Sequence, residues 1–183
     1  MAHQSENPIY ARDTLEAVAA SARYCALMEQ SEMLTEQKLT ETWLGLLPML
    51  YAKLRLLPEV DSDGAFVPEG GVTEEDYDFV RSSLYGLLHE HDEYLLPTDG
   101  EALQTDEYRW CSLSEGLADI YQSLRNFVAV YQQRVEPCML DALWQVLGRF
   151  AGQGFHLHAE SKGNLRHPLT DIPQSHNTKR LAR

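Results

Sequence analysis

The sequence predicts an all-α fold, an up-and-down bundle of about five helices in a single domain with a flexible C-terminal tail. Three observations carry this expectation. Apolar residues recur at spacings of three and four through most of the chain, as one buried helix face requires. No stretch shows the apolar–polar alternation of a half-buried strand. The helical period breaks at "EVDSDGAFVPEGG" and "PTDGEALQTDEYRW", whose acids, glycines and prolines favour turns.

Taken in order, the spacing predicts a first helix over 8–30, with Pro8 in the first turn, where its missing N–H is not needed, and Ala11, Leu15, Val18, Ala22 and Cys25 inward. A second is expected over 34–57 through Leu39, Trp43, Leu46 or Leu47, Leu50, Leu54 and Leu57, kinked or broken at Pro48 and ended by Pro58. The third, over 73–95, opens with Thr73-x-x-Asp76, the pattern of a capping box, and its further acids suit the positive end of the helix dipole. Ser112 or Ser114 caps a fourth helix running to about 133. Pro137 marks the start of a fifth, over 138–161. The bundle domain is thus read as 7–165 and the polar tail as 166–183.

The blocks "RYCALMEQ", "LLPMLYAKLRLLPE", "VTEEDYDFVRSSLYGLL" and "SLSEGLADIYQSLRNFVAVYQ", in that order, resemble a bacterial all-helical family, domain of unknown function 5063, over residues 10 to 165. The resemblance implies an all-helical fold and says nothing of activity.

Charge narrows the partners. With 15 Lys and Arg against 28 Asp and Glu, the net charge of −13 repels phosphate backbones and anionic headgroups, so neither nucleic acid nor a membrane is expected as a partner. The start, "MAHQSENPIYARD", has neither the basic nor the apolar part of a targeting segment, and a cytoplasmic location is expected. Cys25, Cys111 and Cys138 have no metal-binding or disulfide spacing.

The stretch "LLHEHDEYLL", residues 87–96, looks most like chemistry. Continued as helix, it separates its two histidines by about 200°. His91 then falls on the apolar stripe of Tyr77, Val80, Leu84, Leu87 and Leu88, flanked by Glu90 and Asp92, while His89 and Glu93 face water. The stripe of the fifth helix, Leu140, Leu143, Leu147, Ala151 and Gly154, continues to His158. Each histidine is explained most simply as neutral and hydrogen-bonded within a core. The sharper alternative is one buried polar cluster of His91, His158, Glu90, Asp92 and Asp119, acting as metal ligands or acid–base groups.

Spacing excludes several catalytic patterns. Glu-x-x-His, His-Glu-x-x-His and Gly-x-Ser-x-Gly are all absent. His91-Asp92 lacks the upstream histidine of the helical metal phosphohydrolases, and the acidic loop at Glu59, Asp61, Asp63 and Gly64 lacks the final glutamate of a calcium loop. All-helical nucleotide pyrophosphohydrolases are similar in size and acidity and hold magnesium by paired carboxylates; Glu90-x-x-Glu93 and Glu115-x-x-x-Asp119 come near that pattern. The leading expectation is a noncatalytic module that binds another protein or itself and needs no cofactor, with Trp43, Trp110 and Trp144 as either contact or core residues. The alternative is a pyrophosphohydrolase-like enzyme using Mg or Mn at Glu90, Glu93, Glu115 and Asp119.

Overall fold

The computed structural model describes residues 7–62, 71–97 and 108–151. In it the chain forms α1 (Arg12–Glu29), α2 (Glu36–Arg55), α3 (Glu74–Leu88), β1 (Glu93–Pro97), β2 (Tyr108–Ser112), α4 (Leu113–Gln133) and α5 (Glu136–Ala151), with single 3-10 turns at Pro8–Tyr10, Ser31–Met33 and His89–His91. The all-α expectation holds, with one addition. β1 and β2 pair antiparallel as a two-stranded hairpin, Leu95 opposite Trp110 and Pro97 opposite Tyr108.

α4 is the hub, because it packs against α1, α3 and α5 and receives β2 at its start. Its buried positions, among them Leu117, Ile120, Leu124, Phe127 and Val130, extend beyond one stripe, as a helix with neighbours on several sides requires. α1 approaches it through small side chains. Thr14, Ala17, Ala20, Ser21, Tyr24 and Met28 are buried, whereas Leu15 is 48% exposed, so the inward face is turned from the one that hydropathy predicts. The hydroxyls on that face are satisfied: Thr14 donates to Pro8 O, Ser21 to Ala17 O and Tyr24 to Leu117 O at 3.0 Å.

α2 follows the expected face through Leu39, Leu46, Leu50 and Leu54. It runs unbroken through Pro48, which is exposed, so the backbone carbonyl that loses its donor faces the solvent side. The Thr73–Asp76 capping box is formed in both directions. α5 starts two residues earlier than expected and buries Met139, Ala142, Leu143, Val146 and Phe150. Among the described residues no helix is long and apolar enough to cross a membrane. The tail, residues 166–183, and the end of the fifth predicted helix lie outside the described residues.

One ion network joins α1 to α2. Glu16 accepts from Lys53 Nζ at 2.6 Å and from Arg12 Nε at 2.8 Å. Hydrogen bonding from Lys53, then from Arg12, holds the Glu16 carboxyl down to about 2 from its ordinary 4.5. A folded value below the unfolded one contributes stability that is complete above the ordinary range and is lost as pH falls toward about 2. Thermal melts over that window should therefore decline less steeply for Glu16→Gln than for the native chain; identical slopes would show that the network carries no linkage.

Candidate functional site

The end of α3 is where the structure departs most from the sequence expectation. α3 stops at Leu88, and His89 takes φ 45° and ψ −115°, a conformation strained for any residue with a Cβ. His91 is therefore not the inward residue. It stands on the surface with its side chain 65% exposed and meets Glu36 Oε1 through Nδ1 at 2.9 Å, at the first turn of α2. The helical phase fails because the chain has left the helix two residues earlier.

The inward residue is Asp92, only 2% exposed. Its carboxylate accepts from Ser112 Oγ at Oδ2 and from the Ser114 backbone N–H at Oδ1, both at 2.7 Å, while its carbonyl accepts from Leu113 N at 2.8 Å. Ser112 Oγ in turn accepts from Glu115 N at 3.1 Å, so it is the cap of α4. A buried carboxylate thus sits on the positive end of α4, bonded by one free first-turn N–H and by the hydroxyl of the capping serine. Among the described residues it bonds Ser112, Leu113 and Ser114, which close the base of the hairpin.

The other predicted members go elsewhere. Asp119, half-buried, accepts from Tyr77 Oη at 2.8 Å, joining α4 to α3, and burial raises the Tyr77 hydroxyl well above its ordinary value with the Asp119 bond adding to it. Glu90 is exposed on the 3-10 turn, Glu93 is exposed at the start of β1, and Glu115 is half-buried on α4. Glu90 and Glu93 thus do not share the helix that a paired-carboxylate magnesium site needs, because α3 has ended before either. His158 lies outside the described residues. Among the described residues no three of His, Cys, Asp and Glu are grouped to hold a metal ion. Cys25 is buried, and burial pushes its thiol up to about 12, the reverse of what a nucleophile requires.

Two clefts flank α4. One, about 440 Å³, lies between α4 and α5 and is lined by Ser123, Asn126, Phe127, Trp144 and Arg149 among others. The other, about 520 Å³, holds Glu29, Tyr121, Arg125 and Asn126. Its polar groups already bond one another: Arg125 Nε and Tyr121 Oη both donate to Glu29 Oε1, at 3.0 and 3.2 Å, and Asn126 Oδ1 takes the Val72 N–H.

The outer face of the hairpin is the feature that sequence reading missed. Alternate residues share a face, so Glu93, Leu95, Tyr108 and Trp110 point one way while Tyr94, Leu96, Arg109 and Cys111 are half-buried on the other. On the outer side Leu95 is 51% exposed, Tyr108 57% and Trp110 68%. The available signal was two short runs rich in Leu and aromatics either side of the turn-favouring residue types Pro-Thr-Asp-Gly, hidden because the first run continues a helical period.

Fold and geometry together define a helical bundle that carries a surface hairpin locked to its central helix. The chain belongs to the family described as Domain of unknown function (DUF5063), whose model matches residues 8–154. Among solved structures it is similar to the crystal structure of protein BF1032 from Bacteroides fragilis, at 32% identity and a TM-score of 0.68, over 79% of this chain and 84% of that one. No significant match is found among curated proteins.

Asp92→Ala should lower stability by about 2–4 kcal/mol, since it strands buried donors and removes a charge-assisted cap. His91→Ala, at an exposed position, should change it by no more than about 0.5 kcal/mol. His89→Gly should raise it by about 1 kcal/mol, because glycine relieves the positive φ. Urea titrations rank the three; a larger loss at His91 than at Asp92 would refute the anchor.

Proposed function

We propose that the protein is a noncatalytic protein-interaction module whose contact surface is the outer face of the β1–β2 hairpin. The observation that supports this most is the cross-strand pair Leu95 and Trp110, both more than half exposed, with Tyr108 beside them. Taking about 150–250 Å² for each aromatic, the three present roughly 300–400 Å² of largely apolar surface. That is the size of a patch that commonly marks a binding site on a monomer. Aromatic side chains lose little conformational freedom when they are covered and dominate contact energetics.

The support behind the face suits the same role. Tyr94 and Leu96 are half-buried on the opposite face, and the strands continue into the Asp92 and Ser112 anchor, which fixes the base of the hairpin. A partner meeting a firm surface orders fewer groups on binding. The area falls well short of the roughly 800 Å² per side of a standard stable interface. A short segment therefore fits this face better than a second globular surface does.

A photo-crosslinking residue placed at Tyr108 in the full chain tests the reading in cells. A discrete protein adduct is expected, reduced at least tenfold by Trp110→Ala, while the melting temperature changes as little as for other surface substitutions. No adduct, or one indifferent to Trp110→Ala and equally formed from exposed Leu44 on α2, would rule the face out.

A further inference from the structure

We propose that the protein pairs with a second copy of itself along the outer face of α2, the two helices antiparallel and the two-fold axis passing at Pro48. This surface shares no residue with the hairpin face and needs nothing from the reading given to it.

The pattern on the helix supports the assignment first. α2 buries Leu39, Leu46, Leu50 and Leu54 against the bundle, where it packs on α1 and α5. Its opposite side exposes Glu41, Leu44, Gly45, Pro48, Tyr51, Ala52 and Arg55, at the spacings of three and four that put side chains on one face. A helix face turned to water normally carries charged and polar groups along its length. Here charge stands only at the two ends, and the five positions between are uncharged, with Leu44 74% exposed. Gly45 and Pro48 both weaken a helix interior. The bundle's own packing does not call for the glycine, since a Cβ there would meet nothing within 4 Å. Small side chains at a helix contact let the two axes come close, which gives such a residue a use.

The order of the residues selects the occupant. In a two-fold contact the same patch meets itself, so it must complement its own reversed order. Positions equidistant from Pro48 then stand level across the seam. Glu41 meets the partner's Arg55 at each end, about 10 Å from the axis at 1.5 Å per residue. Leu44 stands level with the partner's Ala52 and Tyr51 with the partner's Gly45, so every level joins a large side chain to a small one. A parallel pair would instead set Glu41 against the partner's Glu41 and Arg55 against the partner's Arg55, which like charges oppose. Both charged groups have capacity for the contact. Glu41 accepts from Gln37 Nε2 through Oε1 at 2.9 Å, while a carboxylate accepts at both oxygens and a guanidinium carries five N–H donors. The strip from Glu41 to Arg55 is about 21 Å long and one helix wide. That is less than the roughly 800 Å² per side of a standard stable interface, so the pair forms reversibly.

Sedimentation of the full chain between about 1 µM and about 1 mM, the range in which a weak interface fills, tests the proposal. A monomer–dimer equilibrium is expected, and Leu44→Glu should abolish it. Glu41→Arg alone and Arg55→Glu alone each set like charges at both ends of the seam and should raise the Kd about tenfold. The two together should return it to within about threefold of the native value, because opposite charges face each other again. Melting temperatures of dilute samples should agree for all these chains, as exposed positions imply. Should Leu44→Glu fail to fold, the charge variants decide. A monomer at every concentration overturns the proposal. A dimer indifferent to Leu44→Glu, or lost with Trp110→Ala instead, overturns it in favour of another face. Single reversals without effect, or a double reversal that restores nothing, overturn the antiparallel register and the proposal with it.

Discussion

Asp92 is the residue on which the rest of this architecture turns. Its backbone closes the base of the hairpin, its carboxylate caps the first turn of α4, and its position is reached only because the chain breaks out of α3 at His89. A buried carboxylate is costly unless its acceptors are filled by good donors. Here one donor is the Ser114 N–H, a group that the start of a helix leaves unpaired in any case, and the other is the Ser112 hydroxyl that itself caps the helix. The strained His89 backbone is the local cost of bringing that carboxylate into place.

Through α4 the anchor reaches the whole core. α1, α3 and α5 all pack on this helix, and the polar links between them also end on it: Tyr24 on the Leu117 carbonyl, Tyr77 on Asp119, and Glu29 on Tyr121 and Arg125. Each of these tyrosines buries a ring and keeps its hydroxyl bonded, which favours one orientation of the helices over neighbouring packings of similar apolar area. Desolvation raises Tyr121 to about 12 and raises Tyr77 further, so these links stay protonated over any ordinary pH.

The same anchor explains why an exposed tryptophan is tolerable on the hairpin. A two-stranded ribbon alone is marginal in water. This one is held at its base by the Asp92 bonds to Ser112 and Ser114, and neither bond involves the outer side chains Leu95, Tyr108 and Trp110. Leu95, Tyr108 and Trp110 stand 51%, 57% and 68% exposed on that side.

What the sequence determined by itself is the set of helices, because periodicity and capping are local: the Leu39 to Leu54 face of α2, the Thr73 capping box, a serine cap for α4 at 112 or 114 and the stripe of α3 as far as Leu88 all follow from residues within a few positions of one another. The turn of α1 toward Ala17 and Tyr24 was not legible, since it depends on which neighbour offers space for small side chains and an acceptor for a phenol. Nor was the fate of "LLHEHDEYLL". Its helical period is real, but the competing partner of Asp92 lies twenty residues on, at Ser112 and Ser114, and no local pattern joins the two. Only the tertiary structure decided that His91 faces water and Asp92 the interior, because a buried charge is placed by the donors it finds, and those arrive from another element.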